Sequence, residues 1–178
     1  MDDALALLVG KVILAYAKLD QTLWGQIGHL AVAKRDLDRA QGQIRTTTEE
    51  ADDRFSRRLK HFRRLSSELT SNNQMLMSEI DRTLQEIRDI ERIRAHLAHG
   101  WLSLSEDWIS VLDHREGRDF FRAIREADFI SVDIDALHKR HIDINYRRDD
   151  IAITPLRIRN ADVEICRLTT EILLALRR

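Results

Sequence analysis

Residues 73–98 read NQMLMSEIDRTLQEIRDIERIRAHLA, and this stretch decides the fold class. Leu76, Ile80, Leu84, Ile87, Ile90, Ile93 and Leu97 recur at intervals of three and four, which lines them along one face of a long helix. Ser71-Asn72-Asn73 breaks the preceding pattern and can cap this helix, and Gly100 stands at the expected C-terminal stop.

Working back toward the N-terminus, Thr48 to about Leu69 reads as a second helix. Thr48 is a candidate N-cap, Glu49, Glu50, Asp52 and Asp53 suit the positive end of the macrodipole, and Phe55, Leu59, Phe62, Leu65 and Leu69 form the apolar seam. Before it, Asp36 to Thr47, with Gln41-Gly42-Gln43, reads as a loop or frayed connection. Asp3 to about Arg35 is the clearest helix of all. Leu5, Val9, Val12, Tyr16, Leu19, Leu23, Ile27 and Leu30 hold one stripe over seven turns.

Beyond Gly100 the texture changes. Trp101-Leu-Ser-Leu and Trp108-Ile-Ser-Val-Leu alternate around Ser105-Glu106-Asp107, the pattern of a hairpin. Phe120 to Ala127 reads as a short helix. Ile142 to Tyr146 and Ile151 to Ile158 alternate around Arg147-Arg148-Asp149-Asp150, a second hairpin, after which Asn160 caps a final helix reaching Arg178. The expectation is a mainly α protein: an antiparallel four-helix bundle with a β-hairpin elaboration between the third and last long helices, in one domain with an insertion at about residues 108–158.

Composition sets limits on function. The chain has 178 residues, 33% of them charged, with a formal net charge of −1. Near-neutrality argues against a protein that grips nucleic acid over its whole surface, though a local basic patch remains open. Cys166 is the single cysteine, so neither an internal disulfide nor a cysteine-based zinc cluster can form. Met1-Asp2-Asp3 is acidic where a secretory signal is basic, and the apolar runs 4–10 and 12–17, split by Lys11, are too short to span a bilayer. The expectation is a cytoplasmic protein without membrane attachment. No glycine-rich phosphate loop, HExxH or Gly-x-Ser-x-Gly occurs.

The chemistry-bearing residues gather at the end of the third helix, in Glu91-Arg-Ile-Arg-Ala-His-Leu-Ala-His99-Gly100-Trp101. Arg94 lies on or beside the apolar stripe, so its guanidinium must snorkel, pair with a carboxylate or face a cleft. His99 closes the helix, where the dipole favours imidazolium. Arg92, His96 and His99 share a neighbouring face. Basic residues in a last turn also satisfy free carbonyls, so an ordinary helix end is the competing reading. Two histidines at i, i+3 with no convincing further ligand do not make a metal site, and none is expected.

Arg94-Ala-His-Leu-Ala-His99-Gly100-Trp101 resembles the Arg-x(4–6)-His signature of the HEPN superfamily, in the form Arg-Asn-x-Leu-Ala-His-Gly followed by an aromatic. Tyr16-Ala-Lys-Leu-Asp20 also resembles the acidic-residue-bearing first helix of such proteins. The resemblance covers Asp3 to about Trp101 and the terminal helix. It implies a metal-independent endoribonuclease of a toxin or defence system, needing no cofactor and working at a homodimer interface, with Arg94 and His99 catalytic and an antitoxin protein as a further partner. Arg92 and His96 are the secondary candidates, because Arg92 with His99 also satisfies the spacing. The chain departs from the pattern at Ala95, where the family usually carries a polar residue. The alternative is therefore a catalytically inactive dimeric module binding nucleotide, RNA or a protein.

One further stretch carries charge. Arg54-Phe-Ser-Arg57-Arg58-Leu-Lys60-His61-Phe-Arg63-Arg64 has six fixed positive charges and no acid. It is either a solvated helix face or an RNA-backbone track led by Arg57, Arg58 and Arg64. Trp24, Trp101 and Trp108 read as core or interface anchors.

Overall fold

The computed structural model describes residues 3–43, 54–70, 73–99, 101–104, 108–112 and 144–177. Within them the protein is mainly helical, with four long helices and three short strands: α1 (Asp3–Ala40), α2 (Phe55–Leu69), α3 (Gln74–His99), β1 (Trp101–Leu104), β2 (Trp108–Leu112), β3 (Ile144–Arg147) and α4 (Arg148–Ala175). The chain forms two compact units, one of Leu14–Ile90 with Leu156–Arg178, the other of Met1–Ile13 with Glu91–Pro155.

The first unit is a helical bundle whose core is the set of seams legible in the sequence. Leu19, Leu23 and Leu30 of α1, Phe62 of α2, Ile80, Leu84, Ile87 and Ile90 of α3, and Ile165, Leu168 and Ile172 of α4 are fully buried. Asn73 caps α3 by accepting the Leu76 N–H at 3.0 Å through its side-chain oxygen. Polar pairs tie the helices together at the edges of the core. Arg157 meets Glu86 at 2.7 Å, and Arg167 is gripped by Glu79 of α3 together with Glu164 and Glu171 of its own helix. These contacts run α3 and α4 antiparallel.

Helices α1 and α2 depart from the expected antiparallel order. Tyr16 lies against Phe55 with ring centroids 4.9 Å apart, Asp20 pairs with Arg58 and Lys34 approaches Glu68, so the two run in the same direction. Short links force neighbouring helices antiparallel, but residues 41–54 form a link with a reach of roughly 45 Å. The stretch of α1 that this link must retrace, from Ala40 back to Tyr16, is about 36 Å long.

Three boundaries also move. α1 continues through Asp36 to Ala40, where a loop was expected. α2 opens at Phe55 behind Arg54 with no side-chain cap; Thr48 lies outside the described residues, as does Phe120 to Ala127. The largest correction concerns Ile151 to Ile158, expected as a strand and found inside α4. Ile151, Thr154, Ile158, Ala161, Ile165, Leu168 and Ile172 form one buried stripe at intervals of three and four. Pro155 lies inside the helix and lacks an N–H for a ladder or a helical turn alike, so the deciding features are the stripe and Asp149 and Asp150, which sit in the first helical turn where the dipole favours them. The final helix therefore starts at Arg148 and Asn160 lies within it, not at its cap.

In the second unit β2 is the central strand of an antiparallel sheet in the order β1-β2-β3. Leu104 pairs with Ile109 and Ile109 with Tyr146, so these three residues share one register row. The segment ending at Tyr146 is a strand as read, but its partner is β2 rather than residues 151–158. No helix of the described residues is long and apolar enough to cross a membrane.

Candidate functional site

The site is built where α3 ends and β3 passes. Ile93 and Leu97 are buried, and this fixes the rotation of the last two turns. His96 then falls half-buried, Arg92 exposed and Arg94 half-buried beside the apolar stripe. On β3, the register opposite fully buried Ile109 sets the position of Tyr146.

Helix and strand bring two proton-carrying groups into contact. His96 Nδ1 lies 2.6 Å from Tyr146 Oη, a short hydrogen bond, with the rings 6.0 Å apart and tilted by 40°. Burial pushes the Tyr146 hydroxyl above its ordinary pKa, and the Arg92 charge pulls it partly back. At neutral pH Tyr146 therefore keeps its proton, with a cation near enough to favour its loss. A neutral imidazole carries one proton on two nitrogens and a hydroxyl can donate or accept, so the direction of this hydrogen bond follows the His96 tautomer.

The structure thus joins Arg92 and His96 to a residue the motif does not contain. Arg94, two residues from each of them, lies on nearly the opposite side of the helix, beside the apolar stripe. His99 is the last residue of α3, and its side chain lies outside the description. Tyr146 was legible only as part of a strand. Nothing in its local sequence marks it, because the pairing that places it spans 50 residues.

The basic stretch on α2 resolves into individual pairs. Arg58 donates to both oxygens of Asp20 at 2.6 and 2.8 Å and lies 5.1 Å from the centre of the Trp24 ring. Arg63 makes a two-point contact with Asp81, which holds the Asp81 carboxyl below the usual carboxylate range, and Arg64 is 3.7 Å from Glu68. Arg57 is exposed. Arg58 is thus committed to the fold, and the three arginines should behave differently. Arg58→Gln is expected to cost roughly 1–3 kcal/mol of stability, from a charge-assisted pair and a cation–π contact. Arg57→Gln with Arg64→Gln is expected to leave stability within about 0.5 kcal/mol. If the helix tracks RNA, that double change flattens the salt dependence of binding. Urea unfolding and RNA titrations at several salt concentrations measure the two effects.

A groove of about 370 Å³ runs between α3 and α4 in the bundle unit. Its charges are matched internally: Arg157 pairs with Glu86, and Arg167 holds the Glu164 carboxyl below the usual range. Among the described residues no three His, Cys, Asp or Glu side chains are grouped to hold a metal ion. Compared with known proteins, the chain matches no protein-family model, no curated protein and no solved structure.

Proposed function

We propose that the protein is a metal-independent endoribonuclease of the HEPN type, cleaving RNA by attack of its own 2′-hydroxyl at the end of α3, in a toxin or defence setting. The observation that supports this reading is the gathering of Arg92, His96 and the protonated Tyr146 at the end of the motif helix. Cleavage by 2′-OH attack needs a base for the attacking hydroxyl, an acid for the leaving 5′-oxygen and positive charge on the phosphorane. A histidine is suited to proton transfer near neutral pH, and a guanidinium can bind two phosphate oxygens at once.

In this reading His99 takes the 2′-OH proton and Arg94 stabilises the phosphorane, as the resemblance implies, while Arg92 and His96 line the neighbouring face. The protein acts as a homodimer with the ends of α3 near the two-fold axis, and an antitoxin protein covers the site when the enzyme is held inactive. The second reading, a dimeric binding module without catalysis, rests on Ala95, whose methyl cannot orient an arginine or a phosphate oxygen.

Incubation of purified protein with mixed RNA in excess EDTA separates the two. The nuclease reading expects fragments accumulating at an undiminished rate in EDTA. RNA that is bound but stays intact would leave the binding module.

A further inference from the structure

Tyr146 stands outside the motif, yet it touches the motif helix through a short polar contact, Tyr146 Oη lying 2.6 Å from His96 Nδ1. Its hydroxyl has one hydrogen. When His96 carries its proton on Nδ1, that N–H donates to Oη at 2.6 Å, and the phenolic hydrogen is left to donate outward. The Tyr146 backbone is held by the pairing of β3 with β2, opposite fully buried Ile109. Arg92, exposed one turn before His96, adds positive charge that favours the phenolate. A hydroxyl that holds its proton, with an N–H donor and a cation ready to stabilise its anion, is arranged as an acid.

We propose that Tyr146 is the general acid of the cleavage, oriented by His96 and flanked by Arg92. This rests on the ribonuclease reading and adds to it the group that protonates the leaving oxygen. As the 2′-oxygen bonds to phosphorus, its proton passes to the imidazole of His99. As the P–O5′ bond breaks, its electron pair goes to the 5′-oxygen, which takes the proton from Tyr146 Oη. The phenolate accepts the His96 Nδ1–H hydrogen bond and is reprotonated from solvent, while His99 returns its proton to solvent. No oxidant or further reactant is needed.

The test uses the full chain and two RNAs, one ordinary and one with sulfur in place of the bridging 5′-oxygen. A thiolate leaves without being protonated, so it bypasses the acid. Tyr146→Phe keeps the ring and removes only the hydroxyl. It is expected to slow cleavage of ordinary RNA on the order of 10²-fold and to leave the sulfur-bridged RNA within about threefold of wild type. His96→Ala, which removes the orienting contact, should give the same selectivity with a smaller loss. Equal losses on both RNAs, or no loss on ordinary RNA, would overturn Tyr146 as the acid and leave the ribonuclease reading intact. Wild-type protein that cleaves neither RNA would remove that reading, and this assignment with it.

Discussion

His99→Ala is expected to lower the rate of RNA cleavage on the order of 10²–10⁴-fold, the usual worth of a positioned acid or base. Arg94→Ala is expected to cost a similar factor through lost charge stabilisation of the phosphorane. His96→Ala should cost less than either, because His96 acts through Tyr146. The order of the three losses carries the information. If His96→Ala and Arg92→Ala are the severe pair and His99→Ala is mild, the working register is Arg92 with His96, and the helix is read one turn too far along. Single-turnover cleavage with equal amounts of folded protein measures all four. A His99→Ala protein as active as wild type, with no compensating loss at His96, would remove α3 from the chemistry.

Ile158→Ala is expected to destabilise the protein by about 2–5 kcal/mol, whereas Leu156→Ala changes stability by less than about 0.5 kcal/mol. Ile158 is 1% exposed and Leu156 59% exposed, because positions two apart lie on nearly opposite sides of a helix. In a strand the same two residues would share a face and cost alike. At roughly 2–4 °C per kcal/mol for a chain of this size, the Ile158 variant should melt about 10 °C lower and the Leu156 variant close to wild type. Urea denaturation with far-ultraviolet circular dichroism checks both.

What the sequence made legible follows from how far each signal reaches. The seams of α1, α2 and α3 span four to seven turns, and a three-and-four period sustained that long has no competing strand interpretation. Their buried residues accordingly match the expected ones closely, with Val9 only partly covered. Residues 151–158 misled because Ile151, Ile153, Leu156 and Ile158 form a window short enough for both periods to fit. Only the continuation through Ala161, Ile165 and Leu168 fixes the helix. The Asp149-Asp150 pair reads as a turn or as a first helical turn with equal ease. Helix direction was not legible, since the parallel run of α1 and α2 depends on where a long link leads. At the site, Arg92, Arg94, His96 and His99 announce themselves by spacing. Tyr146 cannot, because a strand pairing far along the chain brings it to His96. The same holds for Arg58, whose role is set by Asp20, 38 residues earlier.

The central claim is that this helix end drives attack by the RNA's own 2′-hydroxyl. Its most direct measurement is the chemistry of the ends left after cleavage in EDTA, on an oligonucleotide labelled at both termini. Attack by that hydroxyl yields fragments ending in 2′,3′-cyclic phosphate and beginning with 5′-hydroxyl, and no cleavage when the 2′-hydroxyl at the scissile position is replaced by hydrogen. Fragments with 3′-hydroxyl and 5′-phosphate ends, or cleavage that persists at the 2′-deoxy position, would contradict it.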